Sequence, residues 1–181
     1  AQGMLSQNWS VIIPSYPQAP DVKITQITHS ISKLVYKILD DCNGSVRMIG
    51  HSAGGHLASR MICKNFLKKN MGKHMDKVIS VSGLYDLRPL LMTKLNDILK
   101  LNYEEAVHES CFLYDPIDTK LTCWVGANER PEFLRQNRIL TEAWSKKSKN
   151  IESYYDPGKD HFSVIDQLEE KESLLTQSIT K

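Results

Sequence analysis

The sequence has no apolar run that approaches the roughly 20 residues a membrane-spanning helix needs. Nothing near Ala1 resembles a secretory leader, in which a basic segment precedes an apolar one. The formal net charge is only +2 and the basic residues are spread along the chain, so a nucleic-acid partner is not expected. We therefore expect a soluble, cytoplasmic protein with a small-molecule substrate and with neither a membrane nor a polyanion as partner.

Cysteine is scarce, and the spacing of the cysteines is not typical of a metal site or of a redox motif. There is no CxxC pair and no spacing with histidine that is typical of a metal site; the cysteines are Cys42, Cys63, Cys111 and Cys123. Buried free thiols in a reducing compartment are the favoured interpretation, and a disulfide or a metal site is the alternative. No metal and no cofactor is predicted.

Repeats, low-complexity tracts and linkers are also absent, and 181 residues with 41% hydrophobic and 24% charged side chains suit one globular domain. Apolar periodicity predicts strands and helices in alternation, which favours a mainly parallel sheet with helices on both faces. The predicted strands are residues 9–13, 45–49, 77–81, 121–125 and 151–155, and the predicted helices are residues 24–38, 53–67, 131–146 and 162–168. Residues 84–114 show weak periodicity and are predicted to form an excursion of short helices and loop within a single domain of residues 1–181.

One pentapeptide, Gly50 to Gly54, fits the pattern G-x-S-x-G between a predicted strand and a predicted helix. A sharp strand-to-helix turn would lift the hydroxyl of Ser52 out of the sheet, with glycines on both sides leaving room for neighbouring backbone. The first N–H of the following helix, that of Ala53, would then donate to an oxyanion. The pattern alone is weak, since a Gly-Ser turn that merely caps a helix also fits it, but its placement favours a nucleophile.

A serine hydroxyl becomes a good nucleophile only when a histidine removes its proton. In proteins with this turn the chain order is serine, acid, histidine, with the histidine after the last strand, and His161 is the histidine found there. The other histidines lie before the turn, beside it, in the excursion or on a lysine-rich connection; they are His29, His51, His56, His74 and His108. His161 is therefore the predicted general base, and a plain surface histidine is the alternative.

The acid is expected in the loop after the predicted strand 121–125, where Glu129 stands. A carboxylate at that position could instead only complement the dipole of the helix that follows. Asp86 follows an earlier strand and is the second candidate acid. Asp156 and Asp160 lie too near His161 in sequence to orient it from across the site.

Five blocks of sequence resemble the kynurenine formamidases (arylformamidases) of the α/β-hydrolase superfamily. The blocks are residues 14–20 (PSYPQAP), 50–58 (GHSAGGHLA), 82–89 (SGLYDLRP), 125–133 (VGANERPEF) and 160–162 (DHF), in the order of that family. The resemblance covers nearly the whole chain. It implies Ser52 as nucleophile, Glu129 as acid, His161 as base, hydrolysis of N-formyl-L-kynurenine to L-kynurenine and formate in tryptophan catabolism, and no cofactor.

The resemblance also shows a departure, because the family's His-Gly-Gly block, which supplies further oxyanion donors, does not occur here. The family places the strand before that block between the strands that we match to residues 9–13 and 45–49. We therefore expect that the amino-terminal strands are absent from this chain and that an upstream segment of the same polypeptide belongs to the functional protein. Association into a homodimer is left open.

Two other functions remain open on the sequence. A carboxylesterase for short acyl groups would use the same machinery, since only the pocket chooses between an ester and an amide. A hydrolase-fold binding protein without activity is the alternative from another class, because the oxyanion block is missing.

Overall fold

The computed structural model describes residues 1–66 and 75–181, and a parallel sheet lies at its centre. Within those residues the sheet has four strands in the order β1-β2-β3-β4. They are β1 (Val46–His51), β2 (Met75–Val81), β3 (Lys120–Gly126) and β4 (Ile151–Asp156). Each neighbouring pair of strands is parallel, which confirms the predicted parallel α/β arrangement.

Helices connect and cover these strands. They are α1 (Gln2–Leu5), α2 (Ile24–Asp41), α3 (Ala53–Met61), α4 (Asn96–Leu99), α5 (Tyr103–His108), α6 (Pro131–Ser145) and α7 (Leu174–Thr180), with 3₁₀ turns at Arg88–Met92, Cys111–Leu113 and Ser163–Glu169. The excursion at 84–114 is therefore built of short helices and loop, as its weak periodicity predicts. Across the described ranges, every helix is too short or too polar to cross a membrane.

Hydrophobic clusters lie on both faces of the sheet. Successive residues of a strand point to opposite faces, so Val78 packs with α2, α3 and α6 while Ile79 packs with α1 and α7. On β3, Cys123 belongs to the cluster of Val78 and Trp124 to the cluster of Ile79. This double burial explains why β2 and β3 have nearly continuous apolar sequences rather than alternating ones.

The prediction of a strand at residues 9–13 is wrong. These residues form neither helix nor strand, and Ile12 and Ile13 are 61% and 80% exposed. A strand exists only where a neighbour completes its hydrogen-bond ladder, and the described residues place no strand beside this segment. Its β-branched composition alone could not supply that neighbour.

The helix predicted at residues 53–67 is too long, since α3 ends at Met61. The chain beyond Ile62 pairs instead with residues 115–117: the Ile117 N–H donates to the Ile62 carbonyl at 2.8 Å, and Cys63 forms a bridge with Pro116. A tertiary pairing has ended the helix before its apolar pattern ends. Leu67 and His74 lie outside the described residues.

Candidate active site

The predicted site residues all follow strand ends at one edge of the sheet. Parallel pairing puts His51 beside Val81 and Gly126 beside Asp156, so the carboxyl ends of the strands are level. Ser52 follows β1, Glu129 lies in the loop after β3, and His161 lies in the loop after β4. Residues far apart in sequence are thereby brought together.

The backbone at Ser52 turns sharply from strand into helix. Its φ is 55° and its ψ is −114°, a conformation that residues with a side chain rarely adopt. The Ser52 N–H donates to the Val81 carbonyl at 2.9 Å, which continues the ladder, and α3 begins at the next residue. This strained turn is the one predicted for a nucleophile.

Of the two glycines that flank this turn, one has the predicted steric role. A Cβ at Gly50 would collide with the Gly54 carbonyl, so only glycine fits there. A Cβ at Gly54, by contrast, would meet nothing within 4 Å, so the expectation of a close approach at Gly54 is wrong. The close approach occurs at Gly55, where a Cβ would lie 2.8 Å from the Cα of Gly83, because α3 packs against the end of β2 there.

Ala53, the predicted oxyanion donor, is the first residue of α3 and is exposed. Its N–H has no carbonyl partner within the helix, because the first turn of a helix leaves its N–H groups free. The partial positive charge of the helix N-terminus is present at the same point. This geometry suits the predicted donation beside the Ser52 hydroxyl.

His161 contacts both other members of the predicted triad. Its Nε2 lies 3.2 Å from Ser52 Oγ, and its Nδ1 lies 2.7 Å from Glu129 Oε2. A carboxylate only accepts, so Nδ1 carries the proton and Nε2 is free to accept the Ser52 proton. Among the histidines in the described ranges, His161 is the one whose ring reaches the serine.

Two aromatic rings lie close to the His161 imidazole. The Phe133 ring centroid is 4.2 Å from that of His161, and the His51 centroid is 4.6 Å away. The His51 Nε2–H also donates to the His161 carbonyl at 2.8 Å. Burial lowers the pKa of His51 below its usual value, and the nearby His161 lowers it further, so His51 favours the neutral form.

Glu129 is fully buried at its side chain and receives donors on both oxygens. His161 donates to Oε2, while the Gly126 N–H at 2.9 Å and the Ser82 hydroxyl at 2.5 Å donate to Oε1. The loop that carries Glu129 is tied to the loop that carries His161, since the Asn128 N–H donates to the Lys159 carbonyl at 2.9 Å. Backbone bonds thus set the separation of acid and base.

The other candidate acids have different partners. Asp86 accepts from Arg88 Nε at 2.8 Å, Asp156 accepts from Trp124 Nε1 at 3.0 Å, and Asp160 accepts from the Ser163 N–H at 2.8 Å. Burial acts to raise the pKa of Asp86, but the hydrogen bonds and charge of Arg88 outweigh it, so that pKa lies below its usual value. Asp86 is therefore an ion-pair partner of Arg88 and not of His161.

Sequence reasoning missed three residues of this site: Ser82, His51 as a ring neighbour, and Phe133. Ser82 stands at the start of the conspicuous 82–89 block, which was a signal without an assigned role. Phe133 lies in α6, and nothing in its spacing indicates a contact with His161, 28 positions later. The site is open to solvent, because the His161 side chain is 20% exposed and neighbouring Phe162 is 77% exposed.

The chain is similar to known proteins in sequence and in fold. No family model matches the chain. A kynurenine formamidase of Danio rerio is 29% identical over 182 aligned positions, which cover 94% of this chain; the chain spans 61% of the length of that curated relative.

Solved structures extend the comparison to the fold. A candidate thioesterase of Silicibacter sp. TM1040 superposes with a TM-score of 0.92 at 40% identity, over all of this chain and 68% of its own. An esterase of Pyrobaculum calidifontis superposes with a TM-score of 0.67 at 15% identity, over 92% of this chain and 64% of its own, a likeness of fold alone.

Proposed function

We propose that this chain, which belongs to the α/β-hydrolase superfamily, carries the triad of a serine hydrolase that converts N-formyl-L-kynurenine to L-kynurenine and formate. The hydrogen-bonded series from Ser52 through His161 to Glu129 is the observation that carries the hydrolase assignment. The likeness to kynurenine formamidase supports the substrate. The rest of the proposal is that residues 1–181 form one domain and that the protein acts in the cytoplasm without a cofactor.

The proposed reaction is acyl transfer in two steps. His161 Nε2 takes the Ser52 proton as the serine oxygen attacks the formyl carbon, and the Ala53 N–H donates to the oxyanion. His161 returns the proton to the aniline nitrogen, whose bond to the formyl carbon breaks, leaving a formyl ester on Ser52. Water, deprotonated by His161, then attacks that ester; formate leaves and Ser52 regains its proton.

Aromatic side chains beside the base support an aryl substrate. The Phe162 ring lies edge-on to His161, with centroids 5.4 Å apart, and is 77% exposed. An exposed aromatic ring at the mouth of a polar site offers an apolar face on which an aryl group can pack. The formyl group itself is small and needs little room at the Ser52 hydroxyl.

We further propose that an upstream segment of the same polypeptide completes this site and supplies the second oxyanion donor. Within the described ranges the edge of β1 away from β2 pairs with no strand, and every residue of β1 is half-buried. A groove of about 510 Å³ lies along it, between β1 and residues 9–13. An open edge and an apolar groove side by side are what a further strand and its loop would cover.

Intact-mass measurement of the active protein tests this part of the proposal. A heavier species is expected, and a homogeneous, folded and fully active species of 20.6 kDa would contradict it.

A short-acyl carboxylesterase is the second candidate, because the same triad cleaves an ester and the candidate thioesterase that is 40% identical to this chain bears the name of an enzyme that cleaves an ester-type bond. Comparing kcat/KM on N-formyl-L-kynurenine and on p-nitrophenyl acetate separates the two, with the formamide expected to be preferred. A preference for the ester would remove the formamidase assignment.

A fluorophosphonate probe tests the hydrolase assignment directly, with the Ser52→Ala variant as control. Labelling of the parent protein and none of the variant is expected. An unlabelled Ser52 in the parent would favour a binding protein without activity.

A further inference from the structure

Ser82 follows β2, the one strand of the four at whose end the sequence predicts no member of the triad. Three of the four strands are followed by a predicted triad member, and β2 is followed directly by Ser82. The Ser82 hydroxyl donates to Glu129 Oε1 at 2.5 Å, and the residue is only 2% exposed. Ser82 therefore contacts the acid from inside the protein, out of reach of a substrate.

The backbone at Ser82 would suit glycine better than serine. Its φ is 52°, in the left-handed region where a Cβ causes strain and glycine causes none. Its N–H donates to the Trp124 carbonyl at 2.7 Å, which any residue other than proline could do. The hydroxyl is the one part of Ser82 that glycine could not replace, and that hydroxyl points at Glu129.

The acid needs this second donor because its orientation determines that of the base. Oε1 of Glu129 accepts from Ser82 and from the Gly126 N–H, which leaves Oε2 facing His161 Nδ1. Two donors on one oxygen restrict rotation of the carboxylate about its last bond. A carboxylate held in this orientation keeps its hydrogen bond to the His161 ring during proton transfer.

We infer that Ser82 is a positioning residue that holds Glu129 aimed at His161, so that four residues rather than three set the geometry of the triad. The inference rests on the proposed serine-hydrolase function and adds a residue to it. Ser82 acts through Glu129 and has no contact of its own with Ser52 or substrate.

Paired variants separate the hydroxyl of Ser82 from its backbone. Ser82→Gly removes the hydroxyl and relieves the strained φ, while Ser82→Ala removes the hydroxyl and keeps the strain. We expect both to lower kcat by about ten- to a hundredfold, the range for one hydrogen bond to a charged group. KM should stay close to that of the parent, because a buried residue that does not touch substrate alters the reaction and not binding.

Ser80→Ala is the matched control, because Ser80 lies in β2, two residues before Ser82. The Ser80 hydroxyl is also fully buried, and it donates to the Gly55 carbonyl at 2.8 Å and lies 2.7 Å from the Tyr85 hydroxyl. It has no bond to Glu129. We expect Ser80→Ala to lower the free energy of unfolding while kcat per folded molecule stays that of the parent.

The rates are measured with p-nitrophenyl acetate and as the rate of fluorophosphonate labelling, so the result does not depend on the natural substrate. A parent protein that labels at Ser52 but leaves N-formyl-L-kynurenine intact would contradict the proposed substrate and leave the Ser82 comparison to be read from labelling. Slower labelling of Ser82→Gly and Ser82→Ala, but not of Ser80→Ala, supports the positioning role of Ser82. A Ser82→Gly protein that reacts as fast as the parent would overturn it.

Discussion

Replacing Glu129 by glutamine is the sharpest perturbation of the candidate site, because it keeps the shape of the side chain and removes its charge. Oε1 accepts from two donors, Ser82 and the Gly126 N–H. The glutamine oxygen must therefore face those donors, and its NH₂ group must face His161 Nδ1. Nδ1 would then have to accept, which places the imidazole proton on Nε2, where it blocks removal of the proton of Ser52.

The magnitude follows from charge and tautomer together. A carboxylate about 4 Å from an imidazolium stabilises it by about 4 kcal/mol at an effective dielectric constant of about 20. That energy corresponds to a decrease of about 10³-fold in kcat. The His161 tautomer with its proton on Nε2 brings the expected decrease toward about 10⁴-fold. KM should change little, because the buried Glu129 side chain does not reach the substrate.

The assay is steady-state hydrolysis, with unfolding followed in parallel to show that the variant is folded. Asp86→Asn is the matched control, since Asp86 is bound to Arg88 at 2.8 Å and has no contact with His161. We expect its kcat to remain close to that of the parent. A Glu129→Gln protein within about tenfold of the parent kcat would show that the assignment of the acid, and the tautomer reasoning behind it, is wrong.

Three further predictions concern stability. Gly54→Ala should stabilise the protein by up to about 1 kcal/mol, because the added Cβ would meet open space in a helix. Gly55→Ala should destabilise it by about 2 kcal/mol, because the added Cβ would collide with Gly83. Chemical denaturation of both variants checks this, and equal effects would contradict it. Arg60→Leu should destabilise by about 3–5 kcal/mol, because the fully buried Glu109, now 3.2 Å from Arg60, would lose its buried cationic partner and keep a neutral donor, the Thr28 hydroxyl at 3.0 Å. A near-neutral variant would refute this view of the pair. Burial lowers the pKa of both His51 and His56, so the unfolded chain binds more protons than the folded one just below pH 6.5. The free energy of unfolding should therefore be at its full value above that pH and should decrease as the pH falls toward the pKa values of these histidines in the folded protein. His56→Gln should make this decrease shallower in denaturation curves recorded between about pH 5 and 8, and an unchanged slope would assign the effect to other groups.

Strong apolar runs were predicted well because burial on two faces leaves a simple pattern. The runs at 77–81 and 121–125 both became strands, with ends within two residues of the prediction. Residues 151–155 also form a strand, although Glu152, Ser153 and Tyr155 are exposed. Residues 9–13 have the same composition and did not, because a strand depends on a neighbour that composition does not reveal. The early end of α3 has a similar origin in the pairing of Ile62 with Ile117.

Within the site, residues tied to a local rule were predictable and residues chosen by contact were not. Ser52 follows from the constraint on a strand-to-helix turn, and His161 and Glu129 follow from the order in which parallel strands end. Ser82 and Phe133 obey no such rule, since each is defined only by what lies next to it in space.

The sequence by itself determined the parallel α/β class, the position of the strained turn, and Ser52 and His161 as predicted nucleophile and base, with Glu129 and Asp86 as candidate acids. Strand periodicity, glycine sterics and chain order are local or sequential properties. Only the tertiary structure decided which carboxylate meets His161, how two donors on one oxygen aim it, and which rings lie close to the imidazole. Those depend on strand register and on backbone bonds between loops, such as that from Asn128 to Lys159, and distances of that kind are not encoded in any single segment.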